Sequence, residues 1–293
     1  MLRRKNLILK RLLGRHFIMN SLGLLFVLGG LFFLWASSVQ LPDVNSFNSR
    51  VVSQSTKFFD RTGEILLFNI QENVRRSEVP IGSISPYLQK ATVAIEDAEF
   101  YNHNGIRPLS FLRAVLVNAT SLEFSQGGST ITQQVVKNSL LTKQKSVLRK
   151  VKEWVLAVKL EKTISKDRIL EIYLNESPYG GNISGVEEAS SAFFDKSSAN
   201  LTLAESAYLA ALPQAPSYYS PYGSHKEELD TRKDLVLKKM LEYKFISEAE
   251  YLEASMEKVD FKLPVRTGII APHFVFYLRE TLEKKYGKRS LEE

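Results

Sequence analysis

Glu96-Asp97-Ala98-Glu99-Phe100 closes an apolar stretch of helical character, Ala91–Ile95, and runs into Tyr101-Asn102-His103-Asn104-Gly105. A carboxylate at the end of an apolar helix is partly desolvated. That raises its pKa and suits it to take or give a proton. The ordinary alternative is a solvated helix end made by Glu96, Asp97 and Glu99, with Gly105 in a turn. Spacing alone leaves both readings open. A single histidine such as His103 is more often a structural hydrogen-bonder than a base.

Gly127-Gly128-Ser129-Thr130-Ile131-Thr132-Gln133-Gln134-Val135-Val136-Lys137-Asn138 is a glycine turn entering a helix. Free N–H groups at the helix start, with hydroxyls at Ser129, Thr130 and Thr132, could hold an anionic oxygen. Gln133 and Gln134 lie four and three residues before Lys137, so they project from one side of the helix. The competing reading is that Thr130-x-x-Gln133 is only a capping box. Arg149-Lys150-Val151-Lys152-Glu153 follows on an amphipathic helix. It reads either as i,i+3 and i,i+4 surface ion pairs worth a few tenths of a kcal/mol, or as a cationic clamp for phosphate steadied by Glu153.

These segments need elements to hold them. Val147, Leu148, Val151, Trp154, Val155 and Val158 recur at helical spacing. Ser165 is a helix N-cap for a segment reaching Asn175, and Thr202-x-x-Glu205 and Ser247-x-x-Glu250 are capping boxes. Pro213 and Pro216 close the helix that Thr202 opens. Leu235–Tyr243 and Pro272–Tyr286 read as helices too. Thr56–Ile70 reads as strand, turn, strand with Arg61-Thr62-Gly63-Glu64 as the turn.

The net charge of +7 is local. Residues 1–15 hold Arg3, Arg4, Lys5, Lys10, Arg11 and Arg15 and no acid, leaving 33 basic against 32 acidic residues elsewhere. This argues against a broad nucleic-acid face and for a topology signal. No charge occurs from Phe17 to Pro42, and Phe17–Ala36 is almost wholly apolar, about the length that spans a ~30 Å hydrocarbon core. The basic flank predicts a cytoplasmic N-terminus, with Trp35 in the outer interface belt. A cleaved signal peptide ending at the small residues Ala36, Ser37 and Ser38 competes, but the apolar run is longer than an ordinary signal core.

The absence of cysteine excludes a disulfide framework, a thiolate metal site, a redox pair and a cysteine nucleophile. His16, His103, His225 and His273 lack paired metal-ligand spacing. Ser255-x-x-Lys258 and Arg266-Thr267-Gly268 imitate signs of penicillin-binding transpeptidases. They stand far too close together, and Ser198-Ala199-Asn200 comes before them, in the wrong order.

In order along the chain, the polar segments resemble the glycosyltransferase domain of class A penicillin-binding proteins and monofunctional peptidoglycan glycosyltransferases, glycosyltransferase family 51. Glu96–Gly105 is similar to EDxxFxxHxG, with Asp97, Phe100, His103 and Gly105 supporting Glu96. Gly127–Asn138 is similar to GGSTITQQxxKN, the most specific stretch, and Arg149–Glu153 to RKxxE. Lys166–Asn175 resembles KxxILExYLN and leads to the turn Tyr179-Gly180-Gly181-Asn182. Leu203–Pro221 resembles an alanine-rich helix ending LPQAPSxYSP. The resemblance runs from about Thr56 to Tyr286. It departs at Arg107, where relatives often have aspartate, and at Phe193 and Asp195, which replace the tyrosine and glycine of a frequent YFGK ending. These departures are expected to bear on packing and not on the acid–base or phosphate groups. The turn at Tyr179 is closest to bifunctional members, in which a transpeptidase domain follows at about the point where this sequence stops.

The resemblance implies a mostly α, lysozyme-like helical glycosyltransferase domain with a short β-hairpin stalk and one N-terminal transmembrane helix. The expected divisions are a basic tail at 1–16, a membrane helix at 17–37, a stalk at 38–80 and the catalytic domain at 81–290. It implies polymerisation of lipid II into β-1,4-linked glycan with release of polyprenyl diphosphate. Glu96 is then the base, and Lys137, Arg149 and Lys150, with Ser129, Thr130, Gln133, Gln134 and Asn138, bind the diphosphate. Glu153 is a second catalytic group that orients the cations or ligates Mg²⁺ or Mn²⁺. Implied partners are lipid II, the growing strand, the cytoplasmic membrane, transpeptidases and other cell-wall assembly proteins, and no nucleic acid. The implied location is the inner membrane, with a single pass and an extracytoplasmic domain. Part of the apolar segment Leu109–Phe124 is expected to dip into the outer leaflet and guide the lipid, an ordinary core helix being the alternative. A lysozyme-like lytic transglycosylase and an inactive membrane-anchored scaffold are the alternatives.

Overall fold

The structure, a computed structural model, describes residues 2–41, 57–69, 77–108, 128–141, 146–181, 183–262 and 271–286. Leu109–Phe124, Gly127 and Asn182 lie outside the described residues. Among the described residues the chain is mostly helical, with two short antiparallel hairpins.

Helix α1, Leu2–Ser38, is continuous through the basic and the apolar parts of the N-terminus. Its segment Asn20–Ser38 is long and apolar enough to cross a membrane. Leu25, Phe26, Phe33 and Leu34 all point away from the protein and are well exposed. The far end behaves differently. Val39 is buried in the main core, and Trp35 and Leu41 pack against it, so Trp35 rests on protein as well as lying near any interface.

Strands β1, Lys57–Phe59, and β2, Leu66–Asn69, pair with Phe58 opposite Phe68. The turn forms because Asp60 Oδ1 accepts bonds from the Thr62 hydroxyl and from the amides of Glu64 and Ile65, while Gly63 takes φ +79°. That is a conformation glycine adopts without strain.

The body is built from α2, Pro86–Glu96; α3, Ile131–Ser139; α4, Val147–Glu161; α5, Lys166–Glu176; a hairpin of β3, Pro178–Gly180, and β4, Ile183–Ser184; α6, Val186–Phe194; α7, Leu203–Ala211; α8, Lys226–Glu242; and α9, Glu248–Met256. The expected caps all form: Ser165 on α5, and full capping boxes at Thr202 and Ser247. Helix α7 is the hub. Every one of its residues is buried, and four of them are alanine, so α2 and α8 pack closely on it. Helix α3 packs between α4 and α5. Two helix groups thus meet along a line, with the end of α2 facing α3 and α4.

Helix α10, Pro272–Tyr286, which the sequence reading places with the catalytic body, shares its buried core with the stalk hairpin. Phe58, Leu67 and Val275 form a second apolar cluster there, flanked by Leu278 and Leu282. At Asp195, φ is +56° in the left-handed region that caps α6. Glycine, which the resembled motif has at this position, would adopt that conformation without the cost of a Cβ. Aspartate tolerates it here while pairing with Lys262.

Candidate active site

Glu96 ends α2 and Asp97 caps it, yet the two carboxylates go to different places. The Asp97 side chain is almost fully buried. Its Oδ2 receives His103 Nε2 at 2.8 Å and the Ile131 amide at 3.2 Å, and Arg107 stands 3.5 Å from Oδ1. His103 Nδ1 accepts the Gly105 amide at 3.1 Å, so the ring proton sits on Nε2 and is donated to Asp97. His103 is structural. Gly105 is obligatory, because φ is +90° and an added Cβ would lie 2.7 Å from the Ala157 carbonyl oxygen. The first motif therefore locks the end of α2 to the start of α3 and to the middle of α4.

This lock changes the reading of the glycine turn. The free N–H at the start of α3 is taken by Asp97, so the anion at that helix terminus is the protein's own carboxylate. Thr130 and Gln133 form a full capping box, and the Thr130 hydroxyl also donates to the Gly105 carbonyl at 2.6 Å. Both residues are buried. In this structure the Thr130 hydroxyl and Gln133 Oε1 serve the backbone, so any part they take in holding a diphosphate competes with the cap. The Thr132 hydroxyl is likewise engaged, donating to Glu161 at 2.5 Å. Arg107, expected to affect only packing, touches Asp97 and pairs with Glu99 at 2.7 Å.

The remaining groups do converge. Gln134 Nε2 donates to Glu96 Oε2 at 2.6 Å. Burial, the strongest influence on the Glu96 carboxyl, raises its pKa; the Gln134 bond, Arg232 and Lys137 pull it back and Asp97 adds to the rise. Lys137, one turn further along α3, is held below the usual lysine value, first by desolvation. Glu153 and Glu96 oppose that shift, while Lys150 and Arg149 reinforce it. Lys137 thus feels the carboxylate of α2 and the charged face of α4 together. Asn138, beside it, is exposed.

On α4, Lys150 Nζ bonds Glu153 Oε1 at 2.5 Å and the Ser129 hydroxyl at 3.0 Å. The i,i+3 pair is real but is no ordinary surface pair, because Glu153 is only 1% exposed. Among the described residues, Glu153 Oε2 and Arg149 Nε are buried without a hydrogen-bond partner. Asp97 Oδ1, which stands 3.5 Å from Arg107, and the Ser206 and Ser255 hydroxyls share that condition. Buried polar atoms are nearly always paired, and of these only Glu153 Oε2 and Arg149 Nε stand on the cationic face of α4. Glu153 does not fit as the centre of a protein-built metal site. Lys150, Lys137 and Arg149 surround it, and among the described residues no group of three His, Asp or Glu side chains could hold an ion. A hard divalent cation requires about six oxygens.

Sequence reasoning missed the wall behind Glu96. Arg232 on α8 donates Nε to the Ala211 carbonyl at 3.0 Å and stacks its guanidinium 5.5 Å from the Tyr219 ring centre. Among the described residues it has no carboxylate within ion-pair distance, yet Glu96 lies within its field. Tyr173 and Tyr179 are buried beside them, and their phenols are pushed up mainly by burial, with Glu96 adding to the rise. A signal was available. Arg232 falls inside the stripe Leu229, Lys233, Val236, Leu237, Met240 that α8 buries, and a cation in a buried stripe asks for a reason.

Comparison with known proteins agrees with the motif order. The family described as Transglycosylase matches residues 63–241. Penicillin-binding protein 1A of Aquifex aeolicus is 36% identical over 277 residues, 94% of this chain and 38% of that protein. Penicillin-binding protein 1A of Escherichia coli K12 is 33% identical over 256 residues, 87% of this chain and 30% of that one. Penicillin-binding protein 1F of Bacillus subtilis 168 is 36% identical over 241 residues, 82% of this chain and 33% of that protein. The chain thus spans between 30% and 38% of the length of these three relatives. A crystal structure of penicillin-binding protein 1A from Haemophilus influenzae aligns over 82% of this chain and 25% of its own at 22% identity, with a TM-score of 0.47. With five motifs in order, a family match over more than half its length and relatives above the thirty per cent mark, the chain belongs to the transglycosylase family, glycosyltransferase family 51, a family of peptidoglycan glycosyltransferases.

Proposed function

We propose that this chain polymerises lipid II, a polyprenyl diphosphate carrying a disaccharide-peptide, into β-1,4-linked glycan at the outer face of the cytoplasmic membrane, to which α1 anchors it. One observation carries the reading. Lys137 lies in the field of a buried carboxylate with a raised pKa on one side and of Glu153, Lys150 and Arg149 on the other.

The acceptor C4 hydroxyl attacks the anomeric carbon of the donor. Its proton passes to Glu96, the C1–O bond to diphosphate breaks, and the electron pair leaves on the diphosphate oxygen with inversion at C1. Base assistance of this kind is worth roughly 10²–10⁴ in rate. Lys137, Arg149 and Lys150 receive the growing charge, and fixed cations placed where charge develops are a large part of such catalysis. Ser129 and Glu153 hold Lys150 in place, and Gln134 orients Glu96. Arg232 and Lys137 oppose the rise that burial imposes on the Glu96 carboxyl.

Full-length protein in vesicles, given labelled lipid-linked disaccharide-pentapeptide, should accumulate polymer. Glu96→Gln and the phosphoglycolipid moenomycin should each stop it. Undiminished polymer from Glu96→Gln removes Glu96 as the base. Shortening of added glycan in place of growth identifies a lytic enzyme, and no turnover identifies an inactive scaffold.

A further inference from the structure

The last turn of α1 is finished with unusual care. A helix leaves its final carbonyls without intrahelical donors. The Ser37 and Ser38 hydroxyls add second bonds to the Phe33 and Trp35 carbonyls at 2.9 and 2.7 Å, and the Val39 amide also reaches Trp35. The Ser37 and Val39 carbonyls receive Lys159 Nζ at 3.1 and 2.5 Å. A cation at a helix C-terminus also meets the negative end of its dipole. Apolar contact accompanies the charge, because Val39 is buried in the main core and Trp35 and Leu41 pack on it.

Lys159 belongs to α4, the helix that carries Arg149, Lys150 and Glu153. At ~1.5 Å rise per residue, Glu153 lies about 9 Å and Arg149 about 15 Å along α4 from the point where α1 is gripped. Whatever the tilt of α4, the cationic pocket can stand no further than that from the latch along the helix. The headgroup layer outside a ~30 Å hydrocarbon core is itself about 5–8 Å thick on each side.

We propose that Lys159 is a positioning residue. It latches the outer end of the membrane helix to α4 and so fixes the height of the cleft above the bilayer, within reach of the diphosphate of a membrane-embedded polyprenyl substrate. This rests on the reading of α1 as an anchor and of the substrate as a lipid diphosphate. Lys159 touches no reacting group. Its effect is confined to substrates that must be met at the bilayer.

The experiment compares wild type, Lys159→Met and Lys159→Arg as full-length protein. Methionine keeps an apolar stem and loses the charge. Turnover is measured with a long-chain polyprenyl substrate in phospholipid vesicles and with a short-chain, water-soluble analogue in detergent micelles. Lys159→Met should lose at least about tenfold in vesicles, since small misplacements of reacting groups carry penalties of this order or larger. It should keep its rate on the short analogue, and Lys159→Arg should recover most of the vesicle rate. In parallel, spin labels on Leu25→Cys and Lys152→Cys, in a chain with no native cysteine, should give a narrow distance distribution that Lys159→Met broadens. Equal loss on both substrates, or an unchanged distance distribution, overturns the latch. If wild type turns over neither substrate, the enzymatic reading fails, and the distance measurement still decides the latch.

Discussion

Glu96 and Asp97 are chain neighbours of the same chemical class, and the regions around them are opposites. Around Asp97 every contact serves the scaffold: a histidine, a helix-start amide and an arginine converge on one carboxylate, and Thr130, Gln133 and Gly105 continue the same closed network. Around Glu96 the protein supplies burial, two tyrosines, one amide donor and charges held at a remove. The first region removes freedom of position. The second leaves a carboxyl whose pKa burial raises against the pull of Gln134, Arg232 and Lys137. Glu153 resembles Asp97 in having one oxygen engaged, here by Lys150, and the other without a hydrogen-bond partner among the described residues, but it has no arginine ion pair beside that second oxygen.

The largest expected effect separates the two regions directly. Glu96→Gln should cut polymerisation by roughly 10²–10⁴ while raising the melting temperature at pH 8. The sign follows from linkage. A carboxyl whose folded pKa is raised contributes stability below its unfolded pKa and loses that contribution as pH rises through the folded value. The neutral amide avoids that loss, so the stability gain over wild type should vanish in acid. A lower melting temperature at pH 8 would mean that Glu96 is scaffold after all.

Asp97→Ala should do the reverse. It leaves Arg107, the Ile131 amide and His103 without their shared acceptor and should cost about 3 kcal/mol in denaturant unfolding, as removal of one member of a buried charged network does. Activity should then fall only in proportion to misplacement of Glu96. Thr130→Val asks whether this hydroxyl serves the cap or the diphosphate. A lost cap costs about 1 kcal/mol, and the KM for the lipid substrate should stay unchanged if this hydroxyl serves backbone alone. A clear rise in KM would return Thr130 to the diphosphate site. The smallest effect is the sharpest electrostatically. Arg232→Gln should move the acid limb of the pH–rate profile upward, because Arg232 lowers the Glu96 pKa, while Arg232→Lys should move it less. An unmoved limb would reduce Arg232 to a packing element on Tyr219. Lys137, held below the usual lysine value, sets the other limb: activity should fall on the alkaline side before an ordinary lysine would titrate.

Much of the fold was legible because local rules were obeyed. The caps at Ser165, Thr202 and Ser247 formed as read, since capping depends on residues three apart. The hairpin at 57–69 followed from its turn residues. The union of α10 with that hairpin was not legible, because the contact of Val275 with Phe58 and Leu67 joins segments some two hundred residues apart. Arg232 was missed for the same reason, although its place in a buried stripe was a visible clue.

The sequence by itself determined the chemistry available: one carboxylate closing an apolar helix, a glycine turn into a polar helix, a cation cluster on a third, and an N-terminal apolar run. These follow from residue type and short-range spacing. Tertiary structure alone decided which polar groups were left over for chemistry. Hydrogen-bond capacity is used up by whatever packs nearby, and so the Thr130 hydroxyl and Asp97 Oδ2 are taken by helix starts and His103, while among the described residues Glu153 Oε2 and Arg149 Nε keep no hydrogen-bond partner.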